Sequence, residues 1–127
     1  MNKSPVLVLA PHTDDGELGC GGLISYCADK GLDVYYVAFS NAYKSLPPEY
    51  PKDTLINEVK EATKILGIPD KNLIIYDFPV RSFPANRQDI LQTMIDLRSK
   101  IAPQLILCPS LNDIHQDHST IAQEALR

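Results

Sequence analysis

Short apolar runs alternate with amphipathic stretches along the whole chain. The runs are rich in aliphatic, aromatic and β-branched side chains, as expected for strands buried in a parallel sheet, and cover residues 6–10, 33–39, 72–76 and 105–108. Helical spacing of apolar residues predicts helices over residues 18–30, 54–66, 90–101 and 119–127. Gly31, Gly67 and Pro103 are expected to end the first three helices, and Asp53 to cap the second.

This alternation of strands and helices predicts a single α/β domain spanning residues 1–127. Right-handed crossovers between successive strands give a mostly parallel sheet with helices on both faces. Ligands of such sheets bind outside the carboxyl ends of the strands. If the first and fourth strands are neighbours, the polar segments that follow them, residues 12–15 and 112–118, face each other.

The two polar segments together contain the residue types of a catalytic zinc site. Zinc in such sites takes about three protein ligands from His, Asp or Glu and leaves one position open. His12, Asp15 and His118 would supply that set, and iron(II) suits it nearly as well.

Further polar residues of the same segments are candidates for the chemistry. Asp14 is beside the metal set and could accept a proton as a general base. His115 would share a helical face with His118 and could stabilise an oxyanion or protonate a leaving amine. Asp117 could hold one of the imidazoles in its working tautomer.

Structural roles compete with these assignments. His12 or Asp15 of the first segment could cap the following helix, and Asp113 or Asp117 could cap the last one. Arg81, expected after the third strand, could grip a substrate hydroxyl or carboxylate or form a surface salt bridge. Asn41 could contact ligand or form a turn.

Composition excludes several other classes of function. A net charge of -4 argues against nucleic acid or an anionic membrane as the main partner, and no apolar run reaches the length of a membrane span. The glycines at 16, 19, 21 and 22 lack the dinucleotide-binding spacing, and no serine lies in a nucleophile elbow. The first five residues lead into a strand rather than a signal peptide, and three cysteines do not make a disulfide framework, which favours a reduced cytoplasmic protein. Cys20, Cys27 and Cys108 are expected to be buried core residues, and Arg87 a solvated helix residue.

The segment APHTDDGELGCGG at residues 10–22, joined to HQDH at 115–118, resembles the PIG-L/LmbE-like family of zinc-dependent N-deacetylases. The resemblance implies a Rossmann-like fold and metal ligation by His12, Asp15 and His118. It further implies that Asp14 is the general base and His115 the residue that stabilises the oxyanion, with Asp117 as the acid between the two histidines.

Two departures from the family pattern bear on function. Thr13 occupies the position where proline is usual, which should loosen the turn but leave the ligands in place. Family members commonly continue well beyond the second motif, so the chain is expected to be the N-terminal portion of the usual domain.

The predicted function is therefore removal of an acetyl or acyl group from the amide nitrogen of an amino sugar or glycoconjugate. A hydrolase of another small amide would use the same site. The alternative from a different class is a non-catalytic metal- or sugar-binding domain, or a truncated and inactive homologue. An intact acid at position 14 favours the enzyme, because a binding domain needs no base there.

Overall fold

The computed structural model describes residues 4–127. Met1–Lys3 lie outside the described residues, and they belong to the segment for which no signal peptide was expected. Four strands and four helices alternate: β1 Pro5–Ala10, α1 Asp15–Asp29, β2 Asp33–Ala38, α2 Thr54–Ile65, β3 Leu73–Ile75, α3 Arg87–Ile101, β4 Leu105–Leu107 and α4 Gln116–Ala125. Short 3-10 turns at Tyr43–Ser45, Asp70–Asn72 and Phe83–Asn86 interrupt the connecting loops.

The four strands form one parallel sheet in the order β3-β2-β1-β4. The predicted neighbourhood of the first and fourth strands is confirmed, since Val6 pairs with Leu105 and Val8 with Leu107. The carboxyl ends of β1 and β4 therefore meet at the same edge of the sheet, and both polar segments follow from there.

Helices cover both faces of the sheet, as predicted. Side chains of β1 alternate between the faces, with Val6 and Val8 in one core and Leu7 and Leu9 in the other. The first core contains Ile24 and Cys27 of α1 and Val59 of α2. The second contains Ile121 of α4 and the predicted apolar stripe of α3, which consists of Ile90, Met94, Leu97 and Ile101. The fold class is thus the predicted α/β arrangement.

Both helices that carry polar motifs begin earlier in the chain than predicted. The first begins at Asp15 rather than Leu18, and the last at Gln116 rather than Ser119. Acidic residues in the first turn, Asp15 and Glu17 in α1 and Asp117 in α4, favour this because they complement the positive end of the helix dipole. The motifs are therefore held by helix N-termini rather than by free loops.

One expectation about an individual side chain is wrong, and another, the exposure of the helical Arg87, is confirmed but incomplete. Cys108 is exposed, because it follows an edge strand whose Leu105 and Ile106 are themselves about two-fifths exposed. Arg87 is not simply solvated, since its Nε donates to Glu124 Oε1 over 2.8 Å and Glu124 is buried. This ion pair joins α3 to α4 at a point that neither helix's own pattern indicates.

Within residues 4–127, no helix combines the length and apolar character needed to cross a membrane.

Candidate metal centre and active site

The loop between β1 and α1 is fixed by a buried tyrosine. The Tyr36 hydroxyl donates to the Thr13 carbonyl over 2.8 Å and accepts from the Gly16 backbone N–H over 3.0 Å. A Cβ atom at Gly16 would lie 2.5 Å from the Tyr36 ring, so only glycine fits there without displacement of the ring. Burial raises the pKa of Tyr36 far above its ordinary value and keeps the phenol neutral. With Thr13 in place of the usual proline, this clamp holds the turn that carries the first motif.

His12 and Asp15 face each other across this turn. Asp15 Oδ2 accepts the His12 backbone N–H over 2.8 Å and lies 3.3 Å from His12 Nδ1. Burial works against the ionised form of Asp15, but the hydrogen bonds from the His12 ring and backbone and the charges of His118 and His12 lower its pKa overall. Asp15 is therefore an ionised acceptor pointing at an imidazole nitrogen.

His118 completes a three-residue group with these two side chains. Its Nε2 lies 3.2 Å from Asp15 Oδ2, while its Nδ1 lies 2.8 Å from Asp113 Oδ2. Ligands about 2.0–2.1 Å from a tetrahedral zinc ion are separated from each other by roughly 3.3 Å. The two measured separations from Asp15, 3.3 Å to His12 and 3.2 Å to His118, match that edge length. The donor types and their spacing fit a zinc ion.

Asp117 orients His12 from the interior. The side chain of Asp117 is fully buried, and its Oδ2 lies 2.8 Å from His12 Nε2. It also accepts the backbone N–H groups of Arg81 over 2.7 Å and Phe83 over 3.2 Å. Burial alone would lower the pKa of His12, yet the hydrogen bonds and charges of Asp15 and Asp117 raise it overall. The Asp117 carboxylate thus contacts the imidazole of the first motif and no ring of its own motif.

His115 lies beside the three-residue group with a different hydrogen-bonding pattern. It is the N-cap residue of α4, and its Nδ1 accepts the Asp117 backbone N–H over 3.1 Å. Its ring stacks on His118 with the centroids 4.6 Å apart, which confirms the predicted shared face. Ligand atoms of His12, His115 and His118 lie within 4.8 Å of one another, so the three histidines also form a group that could hold a metal ion.

Asp14 occupies the N-cap position of α1 but makes no side-chain capping bond there. Its carboxylate is exposed next to Asp15. The capping role considered for Asp15 is also absent, because Asp14 occupies the N-cap position and the Asp15 carboxylate faces His12 and His118. This leaves Asp14 free to meet a solvent molecule or a substrate.

Arg81 and Asn41 follow strands of the sheet at its carboxyl edge, and their side chains differ in the contacts that they make. Arg81 is exposed, adopts a left-handed backbone conformation with φ of 65°, and contacts Asp117 only through its backbone N–H. The predicted surface salt bridge of Arg81 is not found among residues 4–127. Asn41 accepts the Tyr43 backbone N–H over 3.2 Å, the turn role that was weighed for it.

An open cavity of about 670 Å³ adjoins the group. Its polar wall contains Asp15, Asp113 and His118, and its apolar wall contains Ile106 and Leu107 of β4. Sites for small organic ligands have volumes of this order.

Two residues of the site were missed by sequence reasoning. Tyr36 was assigned only to a buried strand, and nothing in the pattern of β2 indicates that its hydroxyl reaches the first motif. Asp113 was considered only as a helix cap, whereas the structure places its carboxylate on His118 and on the His115 backbone N–H. Its position five residues before His118 was the one available signal.

Comparison with known proteins agrees with this geometry. The sequence profile of the family described as PIG-L: GlcNAc-PI de-N-acetylase matches residues 7–127. A probable N-acetyl-alpha-D-glucosaminyl L-malate deacetylase 2 of Bacillus subtilis is 30% identical over 145 aligned positions, which cover 98% of this chain and 60% of that protein. The diacetylchitobiose deacetylase of Thermococcus kodakarensis is 28% identical over 109 positions, covering 82% of this chain and 40% of that protein.

A solved structure shows the same fold. The N,N'-diacetylchitobiose deacetylase of Pyrococcus horikoshii superposes with a TM-score of 0.84 at 23% identity, covering 98% of this chain and 49% of that one. The chain therefore spans about half the length of the relatives that it matches. It belongs to the PIG-L family, and both relatives named above are described as deacetylases.

Proposed function

We propose that this chain, as a member of the PIG-L family, carries the zinc and catalytic residues of an enzyme that removes an acetyl group from the amide nitrogen of an amino sugar or glycoconjugate. The observation that carries the proposal is the opposite hydrogen bonding of two stacked histidines, His115 and His118. In this proposal, His115 is a hydrogen-bond donor to the substrate and His118 is a metal ligand.

The metal ligands in this proposal are His12 Nδ1, Asp15 Oδ2 and His118 Nε2. A carboxylate lies at the other ring nitrogen of each histidine, Asp117 at His12 Nε2 and Asp113 at His118 Nδ1, each over 2.8 Å. Because a carboxylate accepts hydrogen bonds only, each of those nitrogens carries the proton and leaves a lone pair on the nitrogen that faces Asp15. Zinc is proposed as the metal, and iron(II) is the other ion that suits this donor set.

His115 is unsuited to be a fourth ligand. Its Nδ1 accepts the Asp117 N–H, so the neutral ring carries its proton on Nε2 and has no free lone pair to offer. The same proton makes Nε2 a hydrogen-bond donor. We assign His115 to the acyl oxygen as negative charge develops there, or to the departing amine.

Zinc bound to the three ligands would supply Lewis acidity that polarises the acyl carbonyl and makes water a stronger acid. The exposed Asp14 carboxylate then accepts the proton of the attacking water as general base. Asp117, with no exposed surface, acts through His12 and not on the substrate.

The substrate class rests on the relatives and on the cavity. The relatives are named as deacetylases of diacetylchitobiose and of an N-acetyl-glucosaminyl malate, and the open cavity beside Asp15 and His118 is large enough to admit a sugar ring. Arg81 is proposed to hold a hydroxyl or carboxylate of the substrate, with Asn41 contributing from the neighbouring turn. The free thiols of the chain suit a reducing compartment such as the cytoplasm.

Turnover by the purified chain tests the proposal. N,N'-diacetylchitobiose and N-acetyl-alpha-D-glucosaminyl L-malate would be incubated with the zinc-loaded chain, and released acetate and primary amine would be quantified. We expect turnover that a chelator abolishes and that zinc restores, with Asp14→Asn as the matched inactive control. Zinc binding without hydrolysis of either compound would instead identify a non-catalytic binding domain, and no zinc binding would refute the metal assignment.

A further inference from the structure

Asp113 uses both of its carboxylate oxygens on the second motif. Oδ1 accepts the backbone N–H of His115 over 2.9 Å, and Oδ2 lies 2.8 Å from His118 Nδ1. The residue is not the N-cap of α4, because that position belongs to His115. One carboxylate is therefore attached to the backbone of one histidine and to the ring of the other.

We infer that Asp113 is a positioning residue that selects the metal-binding nitrogen of His118 and fixes where His115 enters the site. The inference rests on the proposed function, in which His118 is a ligand and His115 a donor. Asp113 has no reacting partner of its own in this arrangement. It acts through the two histidines.

The effect on His118 follows from the choice of ring nitrogen. An imidazole free in water exchanges between two neutral tautomers, and only one of them leaves Nε2 with a lone pair. The hydrogen bond from Nδ1 to Asp113 favours that tautomer and turns Nε2 toward Asp15, 3.2 Å away. A carboxylate behind a ligating histidine also increases the ligand's basicity.

A comparison within the site shows that the two ligand histidines are held in complementary ways. His12 is held at Nε2 by the buried Asp117 and presents Nδ1, whereas His118 is held at Nδ1 by Asp113 and presents Nε2. Both presented nitrogens face Asp15 Oδ2, at 3.3 Å from His12 Nδ1 and 3.2 Å from His118 Nε2. The two carboxylates therefore have equivalent tasks, although Asp117 lies in the interior and Asp113 is 31% exposed.

The effect on His115 is transmitted through the backbone. The bond from its N–H to Asp113 fixes the extended N-cap conformation, with φ of -72° and ψ of 126°. In that conformation His115 Nδ1 accepts the Asp117 N–H, which leaves the proton of the neutral ring on Nε2. Loss of Asp113 should therefore disturb both histidines.

The experiment compares the metal-free and zinc-loaded chain with its Asp113→Ala variant. Long-range ¹H–¹⁵N spectra of the metal-free protein report the tautomer of each histidine, and competition with a chelator reports zinc affinity. We expect His118 to be Nδ1-protonated in the parent chain and to become a mixture of tautomers in Asp113→Ala. Zinc affinity should fall by about 10–100-fold, the usual effect of losing such a partner.

Three further variants sharpen the comparison. Asp113→Leu also lacks an acceptor and should match Asp113→Ala, which covers the case in which one of them folds poorly. Asp113→Asn keeps one accepting oxygen and should give an intermediate loss. Asp29→Asn removes the same charge from an exposed position and should change neither the tautomer nor the affinity.

The inference is overturned if the Ala and Leu variants keep both the His118 tautomer and the zinc affinity of the parent chain. Failure of the proposed function gives a different result, since the parent chain would then bind no zinc or would bind zinc without hydrolysing either compound. The tautomer measurement on metal-free protein still decides the role of Asp113 in that case. A changed His118 tautomer supports the positioning role, and an unchanged one rejects it.

Discussion

His12 Nε2 lies 2.8 Å from Asp117 Oδ2, and this contact joins residues 105 positions apart in the chain. It connects the end of β1 to the first turn of α4 through the interior. The carboxylate occupies Nε2 of His12, so in the proposed metal site the second motif decides that Nδ1 is the nitrogen His12 presents. Changes in either motif should therefore be felt by both.

Zinc affinity should depend on pH through His12. Burial lowers the pKa of this imidazole, but Asp15 and Asp117 raise it overall to above its ordinary value of 6.5. His12 therefore keeps its proton up to a higher pH than a free imidazole does. A metal must displace that proton, whereas Asp15, with its lowered pKa, is already ionised. We expect affinity to fall by about tenfold for each pH unit below the raised pKa.

Chelator competition between about pH 8 and pH 6 measures this dependence, and calorimetry in buffers of different ionisation enthalpy counts the protons released. An affinity that stays constant over this interval, with no proton release, would show that His12 is not a ligand.

Removal of the Tyr36 hydroxyl should weaken both the fold and the metal centre. Tyr36→Phe leaves the buried Thr13 carbonyl and the Gly16 N–H without their partner, a loss worth about 1–3 kcal/mol. The turn that carries His12 and Asp15 then loses its attachment to β2. Denaturant unfolding should show the lower stability, and zinc titration a lower affinity. Equal zinc affinity in the parent chain and in Tyr36→Phe would show that metal binding does not depend on the Tyr36 hydroxyl.

Two glycines of α1 should respond in opposite ways to alanine. At Gly16 a Cβ would lie within 2.5 Å of the Tyr36 ring, so Gly16→Ala should destabilise the chain and disturb the same clamp. At Gly22 a Cβ meets nothing within 4 Å, so Gly22→Ala should be neutral or stabilising by up to about 1 kcal/mol through helix propensity. Thermal unfolding of the two variants provides the comparison, and similar behaviour would contradict the steric argument.

Much of the fold could be predicted from the sequence because local patterns and topology agree. Continuous apolar runs indicated strands covered on both faces, and the spacing of Ile90, Met94 and Leu97 indicated the buried face of α3. The exposure of Cys108 could not be predicted in this way, because an apolar run looks alike in a central strand and in an edge strand. The Arg87–Glu124 pair was missed because it depends on how two helices cross, which neither helix's pattern contains.

The site was predictable where sequence order determined proximity. Residues after β1 and β4 had to meet once those strands were neighbours. His12 and His118 accordingly both contact Asp15 Oδ2. The residues that hydrogen-bond to the site were harder to predict from the sequence. Asp113 and Tyr36 act through side-chain directions that depend on turn geometry and helix start, and both helices start earlier than their apolar spacing suggests.

Asp14→Asn should separate metal binding from catalysis. The carboxylate is exposed and forms no capping bond, so its loss should leave His12, Asp15 and His118 in place. Zinc content should remain near that of the parent, while kcat falls by about 100-fold or more, as is typical when a general base is removed. Zinc loss together with activity would make Asp14 a ligand, and an unchanged kcat would remove it from the mechanism.

Arg81 allows its guanidinium and its backbone strain to be tested separately. Both Arg81→Ala and Arg81→Gly remove the proposed substrate contact and should raise KM to a similar extent. Only glycine is at ease at φ of 65°, so Arg81→Gly should be more stable than Arg81→Ala by about 1 kcal/mol. Steady-state kinetics and unfolding on the same two variants distinguish the effects. Parent-like KM values would mean that Arg81 contributes to the site only through its backbone N–H, which donates to Asp117.

His115 and His118 should fail in different ways when each is replaced by alanine. His118 presents Nε2 toward Asp15, so His118→Ala should lose both zinc and activity. His115 already uses Nδ1 to accept the Asp117 N–H, so its Nε2 proton is available only as a donor. A donor of this kind contributes once charge develops on the acyl oxygen, and its loss lowers kcat and kcat/KM together while metal stays bound. His115→Ala should therefore bind zinc nearly as the parent does and turn over about 100-fold more slowly. Metal analysis beside kinetics on the two variants decides the assignment, which is reversed if His115→Ala loses zinc and His118→Ala retains it.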